Sequence, residues 1–434
     1  MNNFQTILVA VFLSFFVFAV LIFSGVIKIG GSSAKLPQGT VAIWGTLPGD
    51  SLTSTLDNIG STNRELSIYY ERKDPATYQQ DLIEAFANGV GPDLFVITPD
   101  MIQANNNFIY KIPFTNYPDK TFRDSFIDGA DIYLDKDGTL GFPLVVDPIV
   151  LYYNKDILSN NGIVTPPKNW DELFTLNSSL TKRDNGGVIS QSMIALGQYA
   201  NVSNAKDILA TLLIQNGNPI VSRNNEAKFI SMLNSNTLNY SMTPIEAVIN
   251  FFVEFSNPSN STYSWNRSLP SSLDMFTSGK LAFYIGRASE LFNIESINPN
   301  LSFNVTAIPQ VKDSTTKRTY GEIYAVVINK KSTNMAAAFG VAGMLSTGDN
   351  AKGLSTALSL PPASRALLLD KPTDNAYLYT FFESALISRS WLDPNKSKSD
   401  AVFKELIENI LSNNLSNGEA INKAQGQLEL LLVK

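Results

Sequence analysis

Residues 141–158 read "GFPLVVDPIVLYYNKDIL". Leu144 to Val146 and Ile149 to Tyr153 have the β-branched and aromatic character of a buried strand. Asp147 and Pro148 interrupt that run. One brings a carboxylate, which is costly to bury alone. The other has no amide to give to a ladder. An ordinary solvated bulge on an edge strand would explain both; so would a functional break.

Outward from this stretch the chain alternates strand and helix. "TVAIWGT" (40–46), "ELSIYYE" (65–71) and "DLFVIT" (93–98) are expected strands. Between the last two, Tyr78, Leu82, Ile83 and Phe86 recur at helical spacing after Asp74-Pro75, and Gly89 and Gly91 end the helix. Strand, helix and strand of this length point to an α/β fold. Ligands of such sheets sit beyond the carboxyl ends of strands. Trp44 to Pro48 and Thr98 to Asp100 are therefore candidates, with core packing as the alternative for Trp44.

Beyond residue 158, Trp170 is expected to pack at a helix start, and 205–216 and 244–255 are apolar at helical spacing. Residues 222–243 and 256–272 read as polar connections. "YSWNRSLP" (263–270) puts Trp265 either in a lid over a site or in local packing. "DMFTSGKLAFYIGRASE" (274–290) reads as helix, glycine stop, strand and glycine turn. The turn brings Arg287 and Glu290 to a helix start, whose amides suit anions or hydroxyls. "FNVTAIPQ" (303–310) and "IYAVVINKK" (323–331) are further strands, and Asn334 is the expected cap of the next helix. Val402, Phe403, Leu406, Ile407, Ile410 and Leu411 form a helical core stripe.

The chain has 434 residues, is 44% hydrophobic and carries a formal charge of -6. It can bury a core of more than one domain, and nothing suggests a nucleic-acid partner. Cysteine and histidine are both absent. That excludes disulfides, thiolate nucleophiles, Ser-His-Asp triads and His/Cys zinc sites. No phosphate loop, HExxH, GxSxG or calcium-loop pattern occurs, so no cofactor or metal is expected. What remains is aromatics, carboxylates, amides and hydroxyls at strand ends, a mixture suited to a neutral, hydroxyl-rich ligand.

Residues 6–27, "TILVAVFLSFFVFAVLIFSGVI", form an apolar run without a charge, long enough to span ~30 Å of hydrocarbon as a helix. A cleaved signal peptide is the alternative, but it usually has a basic start and a shorter apolar region. Residues 1–39 are accordingly expected to be one N-terminal transmembrane anchor followed by the tether "GGSSAKLPQG".

In order along the chain, "TVAIWG", "GVGPDLFVITPD", the opening stretch with "PPKNWDEL", "FTSGKLAFYIG", "VTAIPQ", "YGEIYAVVINKKSTNMAAAFGVAGML" and "FKELIENILSNNLSNGEAINKAQGQL" together resemble the extracellular solute-binding proteins of ABC importers. The resemblance is to the branch of maltose-binding protein and other sugar binders. It implies a periplasmic-binding-protein-like type II fold: two α/β lobes joined by a hinge crossed three times, closing on a ligand in the cleft. On that pattern lobe one is 40–146 and 325–370, and lobe two is 147–324 and 371–434. The implied role is binding without catalysis: a monomer held at the cell membrane, its body extracytoplasmic, takes an oligosaccharide and hands it to ABC permease subunits.

The resemblance also assigns residues. Asp147 would mark the first crossing and face sugar hydroxyls in a wet cleft, the strand ending in one sheet at Val146 and restarting in the other at Ile149. Trp44 and Asp100 match strand-end cleft positions, and Gly286-Arg287 matches a glycine turn where sugar binders place an aromatic. Here the stacking ring would come from Trp265 or Tyr284; Tyr324 lies by the second crossing, and Trp391 would be a late cleft aromatic. The lipoprotein cysteine of Gram-positive relatives is missing, and the apolar run would replace it. Three other readings stay open: the same fold binding a peptide, polyamine or small cation, a carboxylate-based glycoside-active enzyme, and a ligand-free adhesion or sensor module.

Overall fold

A strand runs unbroken from Gly141 to Asn154, straight through Asp147 and Pro148. The computed structural model describes residues 38–433 apart from 225, 227 and 237–240. The strand is continuous, but its neighbours change. Gly141 to Pro148 pair antiparallel with the strand Thr319–Ile328, ending with Pro148 opposite Gly321. From Ile149, opposite Arg287, the neighbour is Leu281–Arg287. Phe303–Ala307 joins from Val150 onward. The expected break between two sheets is thus corrected: one strand serves both halves of a ten-stranded sheet. Proline sits where the exchange occurs, so its missing amide leaves no ladder acceptor waiting. Next to it, Thr319 Oγ1 donates to the Ile149 carbonyl at 2.9 Å.

The first half of the sheet runs Leu66–Arg72, Gly39–Gly45, Leu94–Ile97, Thr319–Ile328. The first three are parallel. Helices Gly49–Thr62 and Tyr78–Asn88 make the crossovers, and Gly89 closes the second at φ 72. The first helix was not expected. Its polar "GDSLTSTLDNIGST" masks Leu52, Leu56 and Ile59, which are buried along one face. On the other edge of the long strand, Val146 N–H donates to the Pro361 carbonyl and Ala363 N–H to the Leu144 carbonyl, both at 2.9 Å.

The second half continues through Leu281–Arg287, Ile189–Ile194 and Lys182–Arg183. Helices Ala205–Gln215 and Pro244–Glu254 lie where helical spacing placed them, the latter opened by a Thr243/Glu246 capping box. The connection at 222–243 holds an unexpected hairpin, Val221–Arg223 with Phe229–Ser231. Asn334 precedes the Met335–Ser346 helix without a side-chain cap bond; its amide instead reaches Asp93. The C-terminal stripe belongs to Lys396–Leu411, which buries Val402, Phe403, Leu406 and Ile407 and is followed by Asn417–Leu432. Each such large apolar side chain contributes ~1.5–3 kcal/mol on burial.

The apolar run at 6–27 lies outside the described residues. Among the described residues no helix is long and apolar enough to cross a membrane.

Candidate ligand-binding site

Where the long strand exchanges neighbours, two carboxylates meet. Asp147 stands opposite Glu322 in the ladder. They are 2% and 4% exposed. Two buried anions side by side need a cation or donors, and Arg287, at the end of Leu281–Arg287, supplies the cation. Its Nη1 donates to Glu322 Oε2 at 2.6 Å and its Nε to Asp207 Oδ2 at 2.9 Å. Nη2 lies 2.6 Å from the same Asp207 oxygen, whereas Asp147 Oδ2 is 3.9 Å from Nη1. Asp147 is held instead by Ser289, whose backbone N–H donates at 2.9 Å and whose Oγ–H donates at 2.6 Å. The expectation that Asp147 faces a wet cleft is corrected: it is enclosed by these partners.

The two carboxyls differ in acidity. Burial pushes Asp147 up to about 6, against the pull of Arg287 and the Ser289 hydrogen bonds, with the Glu322 charge adding to the rise. Burial also raises Glu322, but Arg287 and Lys396 outweigh it and hold this carboxyl at about 2. Lys396 Nζ donates to Glu322 Oε1 at 3.1 Å, and Tyr324 OH to Glu322 Oε2 at 3.2 Å. Asp100, just beyond the Leu94–Ile97 strand, accepts from Thr98 Oγ1 at 2.5 Å. Burial pushes its pKa above the usual carboxylate value, and the Glu322 charge adds to that.

Next to this charged floor is a cavity of about 660 Å³ whose lining includes Tyr199, Asn204, Asp207, Arg287, Lys396 and Asp400. Helices Ala205–Gln215 and Lys396–Leu411 both start at its wall. Tyr199 OH donates to Asp400 Oδ1 at 2.6 Å. Lys206 Nζ is buried against Asp393 Oδ2 at 2.7 Å, the Lys396 carbonyl at 2.9 Å and Ser399 Oγ at 3.0 Å. The charges around the cavity thus largely answer one another.

Of the sequence candidates, Asp100, Asp147, Arg287 and Tyr324 converge on this network. Glu290 and Tyr284 sit behind it: Glu290 accepts from Arg287 N–H at 2.9 Å, from Asn204 Nδ2 at 2.6 Å and from Tyr284 OH. Tyr284 is buried and stacked on Phe276. The tryptophans lie elsewhere. Trp44 is half-buried beneath Lys73, whose ammonium is 3.6 Å from the ring centroid. Trp265 is fully buried with Nε1 donating to Asn201 at 3.0 Å, the local-packing alternative. Trp391 is buried edge-on to Phe403 and lines a different cavity. Tyr199, Asp207, Ser289, Glu322 and Lys396 were missed. Glu322 carried a readable signal, a carboxylate inside the apolar run "TYGEIYAVVI", the same anomaly as Asp147. Lys206-Asp207 opens an otherwise apolar helix and is likewise buried.

The family described as bacterial extracellular solute-binding protein matches residues 58–378. This chain belongs to that family. The fold of this solute-binding protein is shared with a cyclo/maltodextrin-binding protein solved with maltotetraose, at 14% identity and a TM-score of 0.73, over 93% of this chain and 98% of that one. The sugar-binding protein MalE of Xanthomonas citri is similar at 15% identity and a TM-score of 0.72, over 91% and 97% of the two chains. An ABC substrate-binding protein from Listeria monocytogenes, solved with cycloalternan, gives 16% identity and 0.66, over 90% and 98%. A binding protein of Brucella abortus (strain 2308) is 39% identical over 62 residues, which are 14% of this chain. The chain spans only 15% of the length of that curated relative.

Proposed function

We propose that this solute-binding protein is the extracellular substrate-binding component of an ABC importer, taking an oligosaccharide into a cleft between two lobes and delivering it to permease subunits without turnover. The observation that carries the reading is the cavity's position and chemistry. It opens on the lobe-two side of the sheet's exchange point, its lining drawn wholly from that proposed lobe, and its charged walls are paired with one another, as in the Asp207–Arg287–Glu322–Lys396 chain. Charges already paired leave donors and acceptors for hydroxyls without demanding a charged ligand. Relatives of the same fold were solved with maltotetraose and cycloalternan, which supports the class of solute.

The proposed lobes are 40–146 with 325–370, and 147–324 with 371–434. Three segments support three crossings. The long strand and Thr319–Ile328 are two. The third lies between helix Arg365–Leu369, whose Arg365 Nε donates to the Arg123 carbonyl at 3.1 Å, and helix Ala376–Leu386, whose Tyr377 stacks on Phe303 at 5.7 Å. Residues 1–39 would tether a monomeric body on the extracytoplasmic side of the cell membrane.

A second reading, a polyamine or cationic peptide as solute, is favoured by one feature. Although the cations of the lining, Lys206, Arg287, Lys396 and Lys404, outnumber its carboxylates Asp207 and Asp400, three of those cations are bonded from behind by Glu322 and Asp393. Melting and small-angle scattering with malto-oligosaccharides and with spermidine separate the two. At ~100 times its dissociation constant a ligand stabilises the fold by ~2.7 kcal/mol. Stabilisation and compaction by an oligosaccharide, insensitive to salt, are expected. A response to spermidine alone, lost on adding salt, would establish the second reading instead.

A further inference from the structure

A second cavity, of about 390 Å³, lies at the far end of helix Ala205–Gln215. The first cavity touches Asp207 near the start of this helix; the second touches Ile214 near its end. Its walls come from the 128–132 segment, the 214–221 segment, Arg318, and residues 389–392. Two guanidinium groups share it. Arg389 is answered: Nη2 donates to Asp128 Oδ2 at 2.6 Å and Nη1 to the Ser388 carbonyl at 2.9 Å. Arg318 is not. Among the described residues its buried Nε has no acceptor, and its Nη1 donates to the Ile214 carbonyl at 3.3 Å.

The nearby carboxylates are already committed. Asp128 is shared between Arg365 and Arg389, and Asp131 is taken by Arg123. Burial, with the Arg318 charge adding to it, pulls Arg389 below the usual arginine range despite its bond to Asp128. The lining balances Asp128 and Asp131 against Arg318 and Arg389, but among the described residues no carboxylate pairs with Arg318. A buried donor without an acceptor is the kind of group whose partner is a ligand or ion. A guanidinium fork matches a carboxylate in plane and spacing. Asp128, Asp131, Asn218 and Ser390 also line it, and its apolar part includes Trp391, Ile132 and Leu392.

We infer that this second cavity is a binding site for a small organic carboxylate, its anionic head on Arg318 and Arg389 and its apolar or flat body against Trp391. The site is separate from the solute cavity and does not rest on the identity of the transported solute.

Calorimetric titration of the full chain with benzoate, and with benzamide as its uncharged counterpart, tests the assignment. Saturable benzoate binding is expected, with benzamide ~10-fold or more weaker, because a charge-assisted pair is replaced by a neutral one. Arg318→Gln loses benzoate binding to the same extent, while Arg318→Lys, which keeps the charge but not the fork, falls between. No saturable benzoate binding in the millimolar range, equal binding of benzamide, or undiminished binding by Arg318→Gln overturns the site. If Arg318→Gln fails to fold, the benzoate–benzamide comparison on the unmodified chain still decides.

Discussion

Asp147 and Glu322 face each other across neighbouring strands, at similar depth, yet their acidities move in opposite directions. Both are penalised first by burial. Glu322 has two cations at hydrogen-bond distance, Arg287 at 2.6 Å and Lys396 at 3.1 Å. Asp147 has neutral donors from Ser289 and the same arginine only at 3.9 Å. Depth sets the penalty for both; the last ångström to a cation decides which of them stays ionised. One carboxyl is thus a permanent anion of the fold, and the other titrates near neutrality.

The comparison breaks most completely at Arg287. Arg287→Gln leaves Asp207 and Glu322 buried without their shared cation, and a loss of ~3–5 kcal/mol in chemical denaturation is expected. The Glu322 carboxyl should also rise out of its low range, so that the two acids come to resemble each other. A variant as stable as the parent would remove the bridge from this account.

The pH dependence comes next. Glu322, lowered to about 2, contributes stability that is present above its ordinary 4.5 and lost as pH falls toward 2. Asp147 has the reverse sign. Its folded value of about 6 exceeds the ordinary 3.8, so the folded chain holds the proton more tightly in between. Stability is therefore full below the ordinary value and declines as pH rises toward about 6, by at most ~3 kcal/mol at ~1.4 kcal/mol per unit. Urea titrations across this window should show that decline in the parent and its absence in Asp147→Asn. Identical slopes in both proteins would assign the titration to another group.

Smaller effects sharpen the contrast. Ser289→Ala removes the Oγ–H donor from Asp147 while keeping the backbone N–H. It should cost ~1 kcal/mol at neutral pH and shift the Asp147 midpoint further up, read from the same titrations. Lys396→Met should cost less, under ~1 kcal/mol, because this lysine side chain is 55% exposed and solvent screens it. An upward shift of the Glu322 midpoint in that variant would show that Lys396 helps hold the anion. No shift would leave Arg287 as the cation that holds it, with Tyr324 as a neutral donor.

The outline of the fold was readable from period and punctuation. The Gly39–Gly45, Leu66–Arg72 and Leu94–Ile97 strands and the helix ending at Gly89 fell within a residue or two of expectation, because alternating or helical burial writes itself into spacing. Gly49–Thr62 escaped because serine, threonine and glycine dilute its three buried apolar positions. In the site, Asp147 was visible as a charge inside an apolar run, and Glu322 would have been by the same test. Trp265 was ambiguous because a ring that packs a core and a ring that walls a cavity leave the same letter. Trp265, expected as a stacking platform or local packing, is fully enclosed with its indole bonded to Asn201.

By itself the sequence determined the α/β alternation, the absence of thiol and imidazole chemistry, and the presence of an unusual polar break at Asp147-Pro148. Each is a property of local pattern or of composition, needing no knowledge of distant neighbours. The tertiary structure decided what that break means. The strand does not stop; it changes partners, and the carboxylate is held by Ser289 and set beside Glu322, residues 142 and 175 positions further along the chain. Distances of an ångström between such residues decide charge state, and they come from sheet register and helix placement rather than from neighbouring letters.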